Sequence, residues 1–268
     1  MSSRVGVASA LAAGLALAAC ASGPTSAPDL DPARVGYLSE AALARLADAV
    51  PPVPDRGSPV DLADRAASAR FTTLEDTDRW LLATAHAELR PPLALQHFDC
   101  ALGVRLAAAK TPRLDRIMAQ IFHDADDVAE RVKAHAARLR PVGDDPDRRA
   151  CQRLTEAARK SPSYPSGSAA VATAYAEAFA LIAPDRAEAV RRIGHEIGVS
   201  RLVCAMHYPS DVAAGEAVGR AVVAEAAARP DFLAEAQAAR AEIAAARATG
   251  LTNPGCAAER AALATPLP

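Results

Sequence analysis

From Leu38 onward, apolar positions recur at three- and four-residue spacing in segments broken by proline or glycine, and nowhere do they alternate as a half-buried strand requires. The pattern predicts helices over 39–50, 61–70, 73–90, 92–109, 112–139, 151–160, 167–183, 185–206, 209–229 and 231–248, with no internal repeat of fixed period. The stretch between Val50 and Asp61 carries four prolines and reads as a loop, and the tail after Gly250 is partly apolar and bears proline. No break divides the rest, so residues 38–268 are expected to form an all-α, single-domain helical bundle. Gly167 to Ala183 is small and apolar over 17 residues and could pass for a membrane helix. Glu177 in its middle favours a buried core helix, because an isolated carboxylate is costly in lipid.

Composition agrees with this reading. Of 268 residues, 51% are hydrophobic and 23% charged, enough to build a core. Aromatics make up only 4%, and the abundance of alanine argues against a β sandwich or barrel. Thirty Lys and Arg against 32 Asp and Glu give a net charge of -2, which lacks the basic footprint that nucleic-acid binding needs.

Val5 to Ala19 is apolar, follows Arg4, and is too short to span a bilayer comfortably; it reads as a secretory segment. Its end, Leu17-Ala18-Ala19-Cys20, resembles a bacterial lipobox. That resemblance implies a signal peptide over 1–19, lipidation of Cys20, a flexible tether over 20–37, and a periplasmic protein attached by lipid to a bacterial membrane, the outer membrane being the expected one. Cys100, Cys151, Cys204 and Cys256 remain, an even set in an exported chain, so two disulfides are expected. Three connectivities are possible and the sequence does not choose among them. The working pairing is Cys151–Cys204 with Cys100–Cys256, in which the first bridge ties the segment after Pro141 to the helix carrying Arg201. No C-x-x-C pair is present to suggest structural zinc.

Three segments in the second half carry chemistry. In KAHAARLRP, Lys133 and Arg140 are seven residues apart, which on one helix is two turns or about 10.5 Å along a face. In SPSYPSGS, a Pro165-Ser166-Gly167 turn before an apolar helix offers the Ser166 hydroxyl and the amides of Gly167 and Ser168 to an anion. In SRLVCAMHYPSD, Arg201 supplies a planar fork of donors, and Asp211 lies four residues after His207, placed to take its Nδ1 proton and leave Nε2 as nucleophile. Each segment alone is unremarkable: a solvated basic face, an N-cap, a packed histidine beside an acidic first turn.

In this order and spacing, Lys133, Arg140, Pro141, Pro165, Ser166, Gly167, Ser200, Arg201, His207 and Asp211 resemble the signature of the type 2 phosphatidic-acid phosphatase superfamily. The lack of membrane helices resembles its class A bacterial non-specific acid phosphatases. The resemblance implies metal-independent, cofactor-free hydrolysis of small phosphomonoesters through a phosphohistidine on His207. Asp211 would orient the imidazole, and Lys133, Arg140, Ser166, Gly167 and Arg201 would bind phosphate. Ser168 departs from the pattern, since the family has there the histidine that protonates the leaving oxygen. A serine hydroxyl is too weak an acid for that task, so another group supplies the proton, or water does, or only good leaving groups react. His135 and His195 are possible substitutes. Competing expectations are a vanadate-dependent haloperoxidase, a lipoprotein that binds phosphate without turnover, and a metal site at His123, Asp124, Asp126 and Asp127, where a solvated acidic patch is the plainer account.

Overall fold

The computed structural model describes residues 35–268. The signal peptide, the lipobox with Cys20 and most of the expected tether lie outside the described residues. Twelve α-helices follow in order: α1 (Glu40–Asp48), α2 (Pro59–Arg70), α3 (Asp78–Ala85), α4 (Asp99–Leu102), α5 (Pro112–Lys133), α6 (Pro141–Asp144), α7 (Glu156–Lys160), α8 (Gly167–Ile182), α9 (Ala187–Val203), α10 (Pro209–Ala227), α11 (Pro230–Ala248) and α12 (Cys256–Leu263). No strand occurs among the described residues, and the fold is all-α. Starts are set locally. Ser39, Ser58, Thr77, Thr155 and Ser166 each cap a helix by accepting a first-turn amide, and α2, α5, α6, α10 and α11 begin with proline, whose missing N–H costs nothing there.

Helix α8 is buried along nearly its whole length and forms the axis of the bundle. Helices α9, α10 and α5 pack around it, α11 covers α5 and α8, and α1 lies across α5. Close approach depends on glycine. A Cβ on Gly194 of α9 would stand 2.6 Å from the Ala176 Cβ, and one on Gly219 of α10 would stand 2.8 Å from the Ala174 nitrogen. Nearer the functional end, a Cβ on Gly215 would stand 2.2 Å from the Ser166 carbonyl oxygen, and one on Gly198 would stand 3.0 Å from a Val212 methyl of α10. Helix α5 shows amphipathic spacing instead, burying Leu114, Ile117, Met118, Ile121, Ala125 and Val128. Glu177 pairs with Arg191 at 2.8 Å at the margin of the core, and no described helix is long and apolar enough to cross a membrane.

Several elements differ from the sequence pattern. The helix expected over 112–139 ends at Lys133, and Ala134 to Arg140 continue as a turn and extended chain. Tertiary bonds outweigh helix propensity here. The Arg138 carbonyl accepts the Ser163 amide at 2.8 Å, and its guanidinium is drawn into a buried group of Asp61, Asp64 and Asp211 at 2.7 to 3.0 Å. Lys133 and Arg140 therefore do not share a helix face. The 92–109 segment breaks into 3-10 turns around the short α4, stopped by Gly103 at φ 71°. Only 156–160 of the expected 151–160 helix forms, and 73–90 reduces to a 3-10 turn followed by α3. The tail contains a helix not foreseen, α12, whose first residue is bridged to Cys100. The other bridge joins Cys151 to Cys204, so both working pairs are present. Gly36 and Tyr37, at the end of the expected tether, are buried, with the Tyr37 amide donating to Asp124 at 2.7 Å.

Candidate active site

The C-terminus of α9, the N-termini of α8 and α10, and the chain leaving α5 converge on one cavity of about 350 Å³. Lys133, Arg140, Gly167, Ser168, Arg201 and His207, drawn from all three sequence segments, line it. Lys133 and Arg140 thus reach one cavity from different elements, although the single helix face expected for them does not exist. Gly167 lies against this cation, and a Cβ there would stand 2.9 Å from the Lys133 Nζ.

His207 is buried, and its two ring nitrogens have different partners. Nδ1 lies 2.8 Å from the Ser163 carbonyl oxygen, which can only accept, so Nδ1 carries the proton. Nε2 lies 3.1 Å from Nη1 of Arg140, which can only donate, so Nε2 bears the free lone pair. Burial, reinforced by the charges of Arg140, Arg201 and Lys133, holds the imidazole pKa well below its usual 6.5. The ring is neutral, with its unprotonated nitrogen at a wall of cations.

Asp211 does not touch the ring as its spacing suggests. Its Oδ2 is 3.9 Å from Nδ1, beyond hydrogen-bond range. The carboxylate instead accepts from the Ser163 hydroxyl at 2.6 Å, the Tyr208 amide at 2.7 Å and Arg138 at 2.7 Å. It sits one residue behind the expected contact and steadies the segment whose carbonyl holds His207. Ser166 is also behind the wall. Its hydroxyl accepts the Ala169 amide at 3.2 Å, and its own amide donates to the Asp211 carbonyl at 2.9 Å. The α8 terminus therefore offers the cavity the first-turn amides of Gly167 and Ser168, not the Ser166 hydroxyl.

Arg201 is 3% exposed, and its Nε and Nη1 have no hydrogen-bond partner among the described residues. Burial, with Arg140 nearby, lowers its pKa to about 10, so it stays charged. A buried cation with unused donors, on a residue that lines the cavity, fits an oxyanion of matching geometry.

Residues 117–233 match the sequence profile of the PAP2 superfamily. The chain is 31% identical over 201 residues, 75% of its length and 76% of the relative's, to an acid phosphatase of Zymomonas mobilis. It is 30% identical over 196 residues, 73% of its length and 79% of the relative's, to a non-specific acid phosphatase of Providencia stuartii. A non-specific acid phosphatase of Salmonella typhi is 28% identical over 185 residues, covering 68% and 74%. The chain belongs to the PAP2 superfamily.

Some residues of this PAP2 chain that matter to the cavity escaped sequence reasoning. Ser163 and Arg138 lie inside the quoted segments, but nothing in their spacing announced a carbonyl acceptor for His207 or a buried charge cluster. His135 and His195, considered as proton donors, do not line the cavity; both are exposed, and His195 pairs with Glu216 at 2.7 Å. The acidic run His123–Asp127 does not converge. Asp124 accepts the amides of Tyr37 and Leu38, Asp127 pairs with Arg131, and Asp126 faces the cavity. No three His, Cys, Asp or Glu side chains are grouped to hold a metal among the described residues.

Proposed function

We propose that this PAP2 protein is an acid phosphatase that hydrolyses small phosphomonoesters in two in-line steps through a phosphohistidine on His207. It is a phosphoric monoester hydrolase by its relatives. The observation that carries the two-step reading is the pairing of an unprotonated His207 Nε2 with the unpartnered donors of Arg201 in one cavity. Nε2 attacks phosphorus, and water later cleaves the P–N bond. Arg201, Arg140, Lys133 and the amides of Gly167 and Ser168 stabilise the three equatorial oxygens, where charge develops. On this reading the cationic side chains supply the neutralisation that a metal ion would otherwise provide. Arg140 exchanges its contact with Nε2 for a phosphate oxygen, freeing the lone pair as substrate enters.

Rapid quenching during turnover of a labelled substrate is expected to trap an acid-labile phosphoryl group on His207, and His207→Ala is expected to lose both label and turnover. Wild-type-like activity in His207→Ala overturns the reading. The same proposal places the enzyme outside the cytoplasm, attached to a membrane through lipidated Cys20, and rests there on Leu17 to Cys20. Cys20→Ala is expected to move it from the membrane fraction to the soluble one.

A further inference from the structure

We propose that Asp126 is the general acid of this enzyme, replacing the histidine that Ser168 displaces. The inference rests on the phosphohistidine reading above and assigns its missing proton. Asp126 precedes Lys133 by seven residues on α5, two turns along one face, so both side chains reach the cavity. Its Oδ1 lies 3.9 Å from where a Cβ on Gly167 would stand, beside Ser168, the position of the family's acid. Of the three aspartates in the acidic run, Asp124 is held by two backbone amides and Asp127 by Arg131, whereas Asp126 makes no hydrogen bond or ion pair among the described residues. An unengaged carboxyl on the wall of the cavity that also holds Arg201 and His207 is free to meet a leaving oxygen.

Its surroundings suit the acidic range. Burial, with Glu130 one turn on, raises its pKa above the ordinary carboxylate value, opposed by Lys133, Arg90 and His123. The buried Tyr175 hydroxyl of α8 also faces it, and Arg140, Arg201 and His207 share the cavity. The step balances in protons. As Nε2 of His207 bonds to phosphorus and the P–O bond to the leaving group breaks, the Asp126 carboxylic acid protonates the departing oxygen, releasing an alcohol and leaving a carboxylate. In the second step that carboxylate takes a proton from the attacking water as the P–N bond breaks, which restores the acid and releases phosphate.

With Asp126 in this role the wild type hydrolyses alkyl phosphates as well as aryl ones, so Ser168 does not confine it to good leaving groups. The test compares kcat/KM for glycerol phosphate and p-nitrophenyl phosphate in the wild type and in Asp126→Asn, with circular dichroism to confirm folding. kcat/KM reports only the steps up to release of the leaving group, so a slowed second step does not enter. Asp126→Asn is expected to lose about 10²–10⁴-fold on glycerol phosphate, change p-nitrophenyl phosphate less than about 5-fold, and lose the basic limb of the glycerol phosphate pH profile. Equal losses on both substrates, or none on either, overturn the assignment. His207→Ala, run alongside, is expected to lose both substrates. If it retains either, the phosphohistidine reading fails, and that failure is distinct from failure at Asp126.

Discussion

The His207 Nδ1 is 2.8 Å from the Ser163 carbonyl oxygen, so a main-chain acceptor, and not the Asp211 carboxylate, holds the Nδ1 proton of the proposed nucleophile. Asp211 bears on this contact through the Ser163 hydroxyl, and Arg138 holds Asp211 in turn.

This geometry changes what Asp211→Asn should do. Where a carboxylate directly selects the tautomer, its amide replacement costs about 10⁴ in rate. Here the carbonyl keeps Nδ1 protonated, so Asp211→Asn is expected to lower kcat by only about 10- to 100-fold with KM little changed. Ser163→Ala, which leaves the carbonyl in place, is expected to cost less. A loss near 10⁴ in Asp211→Asn would show that Asp211 meets the ring directly during turnover.

Proton uptake at His207 should come late. In the free enzyme, burial first and then the cations Arg140, Arg201 and Lys133 hold its pKa well below 6.5. An NMR titration is expected to show this imidazole neutral through the range where an exposed histidine protonates. In the unfolded chain His207 takes its proton near 6.5, so its share of stability is complete above that value and is lost as pH falls toward the folded pKa. Bound phosphate, being anionic, is expected to raise the folded value. Ordinary titration near 6.5 without ligand would contradict the environment described.

Orthovanadate is expected to inhibit competitively, because its five-coordinate form matches the phosphoryl transition state that the cationic wall is proposed to bind. EDTA is expected to leave activity unchanged. Arg201→Ala removes the unpartnered donors and is expected to lower kcat by about 10²–10³-fold, as loss of an oxyanion donor does elsewhere, and to weaken vanadate. Loss of activity in EDTA, regained with a divalent ion, would point to a metal-dependent reaction.

The two disulfides should differ in consequence. Cys151–Cys204 closes a separation of 53 residues and ties the chain bearing Gln152 and Leu154, both on the cavity wall, to the end of α9. Replacing both its cysteines with alanine is expected to cost about 4 kcal/mol of stability in the chain-entropy treatment and to raise KM. Cys100–Cys256 anchors only α12, so its removal is expected to expose the tail to protease with activity intact. Limited proteolysis with measurement of KM separates the two, and equal effects on KM would refute the distinction.

Much of this was legible in the sequence, for a physical reason. Arg201 and His207 are held by a short stretch of chain, so spacing alone fixes their neighbourhood, and the apolar run of α8 could be stable only inside a bundle. The rest depended on partners distant in sequence. The end of α5 is decided by Arg138 turning toward Asp61, 77 residues earlier. A main-chain acceptor such as the Ser163 carbonyl leaves no trace in residue identity. Asp126 reads as one more charge in an acidic run until its neighbours are seen to be occupied.

The glycine seams beside α8 bear on how this enzyme can diversify. Arg201 sits near the end of α9 and His207 just before α10, and the separation of those helices is gauged where Gly194, Gly215 and Gly219 meet α8 and Gly198 meets Val212 of α10. A Cβ added at Gly194, Gly215 or Gly219 would meet α8 at 2.2 to 2.6 Å, which wedges a helix outward and moves one half of the proposed oxyanion cradle from the other. The opposite wall, with Glu88, Leu89, Arg90, Gln152 and Leu154, comes from connecting chain that carries no such constraint. Selection for a new alcohol portion can therefore act on the side chains of the connecting segments, while the proposed grip on phosphate is left in place.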